Sequence, residues 1–186
     1  TGPISSTFLV DFRQKVEFIK IAKGIGLKNL AVRPYANPWG WASRERYSDE
    51  FGQEILSNIK SMKKELLNSK IAICTYPQTT FSEAMHIGVP TLLMYVEKTW
   101  TLHDNFLPLL EEMRRVGIFH ASAESAAVHI KKIHEDPLKW WNEEDTKTVR
   151  SMFDQICGTP AKDIRIDKEW GEFFTKVLDQ SKSLNS

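Results

Sequence analysis

The run from Ser69 to Glu97, SKIAICTYPQTTFSEAMHIGVPTLLMYVE, reads as strand, polar turn, helix, glycine stop and strand. Ile71 to Cys74 is an apolar stretch of the kind that a parallel sheet buries on both faces, and Thr91 to Val96 is a second. A helix between two such strands is the crossover that parallel pairing requires. The turn Thr75-Tyr76-Pro77-Gln78-Thr79-Thr80 therefore lies at the carboxyl end of a strand. Open α/β sheets bind ligands at that edge, because the following helix aims unpaired amides and the positive end of its dipole into the crevice. An anion such as a phosphate is the natural guest.

The rest of the chain extends this pattern. Ser5 and Ser6 can cap a helix from about Thr7 to Lys23, carrying Phe8, Phe12, Val16, Ile19 and Ala22 at helical spacing. Leu30-Ala31-Val32 reads as a strand ending at Arg33-Pro34-Tyr35, which places Arg33 at another carboxyl end. One long helix is expected from Glu50 to Asn68, followed by helices over Asn105 to Val116 and Glu124 to His134, with a brief strand at Ile118-Phe119-His120 between them. The tail reads as helical from Leu138 to Cys157 and again from Asp167 to about Gln180. Strands each followed by a helix predict an α/β fold: a three-layer, Rossmann-like, doubly wound parallel sheet with a helical C-terminal tail. With 186 residues, 41% of them hydrophobic, a single domain over 1–186 is expected, and the loop Gly158 to Arg165 is a weak candidate boundary.

Charge narrows the partners. Twenty-five basic against 24 acidic residues leave +1, so no global field attracts nucleic acid or an anionic membrane. No apolar run approaches a membrane span. Cys74 and Cys157 have neither disulfide-framework nor zinc spacing, which suits a reducing cytoplasm, including the inner face of a membrane. The five histidines form no ligand-spaced cluster, so no metal is expected, and no other cofactor is called for. Dinucleotide, P-loop and nucleophile-elbow motifs are absent.

Within the carboxyl-edge loops, Thr79 and Thr80 either cap the helix or offer hydroxyl and amide groups to a phosphate. Glu83, one turn on, either complements the dipole or accepts ribose hydroxyls. Arg33 either joins a surface ion pair or grips phosphate oxygens in bidentate fashion. Lys98 and His103 fall in a further loop on this rim, and Trp39, Trp41, Tyr76 and Trp100 are candidates to stack on a base or sugar ring. Of the pair Trp140-Trp141, one is expected in the core and the other against a partner domain.

Taken in order, Leu30-Ala31-Val32-Arg33-Pro34-Tyr35 with Trp39-Gly40-Trp41, Thr75-Tyr76-x-x-Thr79-Thr80-Phe81-x-Glu83, Pro90-Thr91, Trp100-x-Leu102, Val116 to His120, Glu124 to Ala127 and Trp140-Trp141 carry a likeness. From Thr7 to Phe153 the chain resembles the C-terminal part of a bacterial transferase family found in surface-polysaccharide and O-antigen gene clusters, itself similar to GT-B glycosyltransferases. The resemblance implies a donor-binding domain for a nucleotide sugar. Arg33, Thr75, Gln78, Thr79, Thr80 and Glu83 would hold the donor phosphate and nucleotide, with Tyr76, Lys98, Trp100 and His103 as further contacts. Asn37 and His103 depart from the family pattern, which tends to carry His and Arg there. Paired hydroxyl residues at this helix start are similar to those of transferases that use CMP-linked acidic sugars, with UDP and GDP left open. The start at Thr1 suggests a fragment of a two-domain protein, so that the glycan acceptor and the catalytic base would belong to a missing N-terminal domain. A non-catalytic binding or assembly module and a nucleotide-sugar epimerase are the alternative readings.

Overall fold

The computed structural model describes residues 6–37, 39–158, 171–172 and 174–176. In chain order the helices are α1 (Phe8–Gly24), α2 (Ser43–Phe51), α3 (Met62–Leu67), α4 (Thr79–Ile87), α5 (Leu107–Arg115), α6 (Ala123–Ile133), α7 (Pro137–Trp141) and α8 (Glu144–Cys157). Strands β1 (Ala72–Cys74), β2 (Thr91–Met94) and β3 (Phe119–His120) form one parallel sheet in the order β1-β2-β3. Cys74 lies opposite Leu93, and Leu93 lies opposite Phe119.

Successive side chains of a strand point to opposite faces, yet all four residues of β2 are buried. Both faces of the sheet centre are therefore covered, as continuous apolar strands demand. Helix α4 packs on β1 and β2, α5 packs on β3, and α8 lies against both α4 and α5. Helix α6 packs on β2 and β3 and against α1, whose Gln14 side-chain amide donates to the Ala121 carbonyl at 2.9 Å.

The strand-helix-strand unit that anchored the sequence reading is present, and three expectations around it need correction. Leu30-Ala31-Val32 forms no strand of the sheet: Val32 alone makes a parallel bridge, to Leu56. Asn29 in the left-handed region (φ 58°) turns the chain just before it, and Pro34, which has no N–H, follows two residues after it. The long helix expected over Glu50 to Asn68 is broken. It starts earlier, at Ser43, and stops at Gly52, whose φ of 89° is one that helical residues do not adopt. A 3₁₀ turn at Gln53–Ile55 then buries Ile55 and Leu56, and α3 restarts behind Ser61, whose hydroxyl accepts from the Lys64 amide. Trp140 and Trp141 are both buried. The Trp140 indole donates to the Val116 carbonyl at 2.8 Å, and Arg150 stacks on Trp141 at 4.4 Å. Of the second tail helix, residues 171–172 and 174–176 are helical and the remainder lies outside the described residues, as does most of the loop Gly158 to Arg165.

Behind β3 sits a neutral histidine pair. His120 Nε2 lies 2.9 Å from the Gly117 carbonyl, which only accepts, so Nδ1 of the neutral ring accepts from the Ser125 hydroxyl at 2.8 Å. His129 packs between His120 and Trp140, at ring distances of 5.3 and 4.9 Å. Burial pushes the His129 pKa down to about 4 and lowers that of His120 in the same direction. The unfolded chain, with ordinary histidines, therefore takes up protons before the folded one does. Their contribution to stability is whole above about pH 6.5 and is lost as the pH falls towards 4. Allowing for the partial solvent screening of His129, its share is about 2 kcal/mol. Urea unfolding at pH 7.5 and 4.5 is expected to show a smaller difference for His129→Leu than for the native chain, by about that amount. An equal difference in the two proteins would assign the acid sensitivity to other groups.

Candidate functional site

The carboxyl ends of β1 and β2 open into a cavity of about 210 Å³. Thr75 and Tyr76, which follow β1, and Tyr95, Thr99 and Trp100, which follow β2, form one side. The segment 30–35 forms another, and helix α1 lays Phe8, Asp11, Phe12, Lys15, Phe18 and Ile19 along a third. Those six positions are one helical face, because spacings of three and four residues return to the same side of a helix. The site thus stands where parallel α/β sheets gather their ligands, with a wall supplied by the first helix.

Aromatic side chains dominate the walls. Tyr76 and Trp100 stack with ring centroids 6.2 Å apart, and Phe12 and Tyr47 lie 4.9 Å apart. Burial raises the Tyr76 phenol and pushes Tyr95 up to about 12, with nearby Glu97 acting in the same direction on Tyr95. Both phenols remain protonated at neutral pH and can donate hydrogen bonds. Cys74, at the end of β1, is buried with its thiol pushed up to about 12, so it is inert packing rather than a nucleophile.

Two charged groups line the cavity from α1. The Thr99 hydroxyl donates to the Val96 carbonyl at 2.6 Å and lies 3.3 Å from Asp11 Oδ1. Desolvation raises the Asp11 carboxyl, offset in part by Lys15 one turn on and by Thr99. Desolvation lowers the Lys15 ammonium below the ordinary lysine range, and Asp11 offsets part of that shift. Its Nζ sits 5.8 Å from the centroid of the Tyr76 ring. The sequence reading missed both residues. The signal was present, since Asp11 and Lys15 interrupt an otherwise apolar helical face, where charge needs a reason.

The structure gathers some of the sequence-derived candidates here and leaves others apart. Arg33, Thr75, Tyr76 and Trp100 line the cavity. Gln78, Thr79, Thr80, Glu83, Lys98 and His103 do not. Thr79 and Thr80 open α4 just beyond Tyr76, and Gln78 rather than either threonine occupies the N-cap position. Among the described residues neither threonine hydroxyl has a hydrogen-bond partner, so both remain available. Glu83 and Lys98 are exposed. His103 Nδ1 accepts from the Asn105 amide at 3.3 Å and so caps the turn Asp104–Phe106. Arg33 is engaged elsewhere: Nη1 donates to Glu65 Oε2 at 2.7 Å and to the Ile59 carbonyl, and Nη2 donates to the Lys60 carbonyl at 2.7 Å. These contacts tie the segment after Val32 to the start of α3. Trp41 is stacked on Phe8 at 4.3 Å, and Trp39 is exposed.

No curated protein and no solved structure matches the chain. Residues 1–168, most of the chain and all of the elements that build this cavity, match the family described as LIC12162 family transferase. The chain belongs to the LIC12162 family of transferases.

Proposed function

We propose that this chain is the nucleotide-sugar donor-binding domain of a GT-B-like glycosyltransferase that builds cell-surface polysaccharide in the cytoplasm. The observation that carries the reading is the aromatic cavity at the carboxyl ends of β1 and β2, with α4 starting three residues beyond the lining residue Tyr76 and the Thr79 and Thr80 hydroxyls there unpartnered among the described residues. An aromatic wall suits a base or sugar ring, and hydroxyls at a helix start suit phosphate oxygens. In the transfer an acceptor hydroxyl oxygen bonds to the anomeric carbon while the bond from that carbon to the nucleotide's phosphate oxygen breaks. The electron pair leaves with the phosphate, and Thr79, Thr80 and the α4 amides would stabilise its charge. The acceptor's proton passes to a base, which we assign to an acceptor-binding domain of the same enzyme. Gln78 and Glu83 are assigned to the nucleotide side of the donor, and a CMP-linked donor is preferred.

Titration with CMP, UMP, UDP and GDP, followed by calorimetry and by NMR of labelled protein, tests the reading. Binding in the millimolar range or tighter is expected, weakened at least tenfold in Thr79→Ala/Thr80→Ala, since each hydrogen bond to a charged group contributes about 1.5–3 kcal/mol. Lack of binding at millimolar nucleotide would sink it. A non-catalytic assembly module with a vestigial nucleotide site is the second reading, favoured by the engagement of Arg33 with Glu65 and two carbonyls. That module predicts the absence of nucleotide binding.

A further inference from the structure

Among the described residues the cavity has two basic ones in its lining, Lys15 and Arg33, and they differ in what they have left to offer. Arg33 already donates to one carboxylate and two carbonyls. Lys15 has no ion pair and no hydrogen bond among the described residues, and the ring of Tyr76 is the group its ammonium meets. Its Nζ is not sealed off, because the side-chain atoms enclosed without a partner are in His129 and Trp141. The titratable groups around the cavity are Asp11 on the same helix, Arg33 and Tyr35 from the segment after Val32, Tyr47 from α2, and Tyr76 and Tyr95 at the strand ends. Among the described residues of the lining Asp11 is the one carboxylate, and it makes no ion pair with Lys15, although its charge acts on the ammonium from one turn away.

We propose that Lys15 is the anion-pairing residue of this cavity, held unpartnered on α1 so that its ammonium meets an anionic oxygen group, phosphate or carboxylate, of the bound ligand. A desolvated cation that the carboxylate one turn away compensates only in part is unfavourable in the free protein, and an arriving anion in contact with it relieves that cost. The lowered ammonium pKa has the same origin. Lysine suits the task as a point charge that pairs with either anion without the fixed fork of an arginine. Asp11 and Thr99, beside it, are placed to take hydroxyls of the same ligand. The inference deepens the donor-site reading by moving the cationic contact from Arg33, where the sequence placed it, to a helix that the sequence reading treated as packing.

The test uses the chain described here with inorganic phosphate, CMP, UDP and glucuronate as separate probes. Phosphate and glucuronate distinguish the two sources of anionic oxygen. Observed through the Lys15 side chain by NMR, the ammonium pKa is expected to lie below the ordinary lysine range and to rise when an anion binds. Lys15→Met should weaken the effective probe at least tenfold, and Lys15→Arg should retain most of the affinity. With the unpaired charge removed, Lys15→Met should also melt higher than the native chain, by about 2–4 °C, whereas a residue with a purely structural role would lower the Tm. Nucleotides that bind equally well to Lys15→Met would overturn the inference and leave the donor-site reading standing. A Lys15 that responds to phosphate or glucuronate while no nucleotide binds would do the reverse. If no probe moves the Lys15 resonance, the inference is wrong.

Discussion

Leu93→Ala is expected to destabilise the fold by about 3–4 kcal/mol, within the range for a fully buried leucine whose cavity does not collapse. Leu93 is completely buried in the central strand, opposite Cys74 on one side and Phe119 on the other, and its amide donates to the Ile118 carbonyl at 2.7 Å. The strands on both sides hydrogen-bond to β2, and helices cover both faces, so few neighbours can move in to fill the void. In a domain of this size the loss corresponds to a Tm lower by roughly 10 °C, measurable by thermal melting or urea unfolding. Leu67, 60% exposed at the end of α3, provides the comparison: Leu67→Ala should cost less than about 0.5 kcal/mol. Similar losses for both variants would mean that the sheet centre is not the core. The damage would reach the cavity as well, because β2 carries Tyr95, Thr99 and Trp100 to it.

Gly117→Ala is the second large effect, and its origin differs. Gly117 has a φ of 83°, where any residue with a Cβ is strained by about 1–2 kcal/mol. A Cβ built there would lie 2.4 Å from Cε1 of His129 and 2.7 Å from both ring nitrogens. The ring cannot swing aside freely, since His120 and Trp140 pack against it, and the Gly117 carbonyl itself receives the His120 Nε2 hydrogen bond. Overpacking adds another 1–3 kcal/mol, for a total of about 3 kcal/mol. The two contributions separate in a double-mutant cycle. In a His129→Ala background the same substitution should cost only the backbone share, and the difference is the coupling. An equal cost in both backgrounds would show that the histidine ring is not the obstacle.

Much of the fold was legible because local patterns and tertiary demands agreed. Thr79 to Gly88 carries a helical face of Phe81, Ala84 and Met85 and ends on a glycine, and the structure buries that face. The apolar runs at Ile71 and Thr91 could satisfy their backbones only in a sheet covered on both sides. Where reading failed, a local pattern was overruled by one residue or one distant partner. Phe51, Ile55, Ile59, Met62 and Leu66 keep helical spacing, but Gly52 ends the helix, and Ile55 is buried by a 3₁₀ turn instead. Leu30 to Val32 has strand composition, yet its one ladder partner is Leu56, a residue the helical pattern had claimed. Trp140 and Trp141 could not both be placed inside from spacing alone. The Val116 carbonyl that accepts from the Trp140 indole and the Arg150 guanidinium that stacks on the Trp141 ring come from other elements.

The candidate site divides along the same line. By itself the sequence determined that a polar turn rich in hydroxyls lies at the carboxyl end of a buried parallel strand, because apolar run, turn, helix and glycine follow one another within 29 residues and each constrains its neighbour locally. Only the tertiary structure decided which charges are free. Arg33 is spoken for by Glu65, 32 residues away, and by the carbonyls of Ile59 and Lys60. Lys15 is brought from the first helix to the Tyr76 ring, 61 positions along the chain, with no ion-pair partner among the described residues. Whether a charge is paired depends on distance in space through Coulomb attraction and desolvation, and neither quantity is written in the order of residues along the chain.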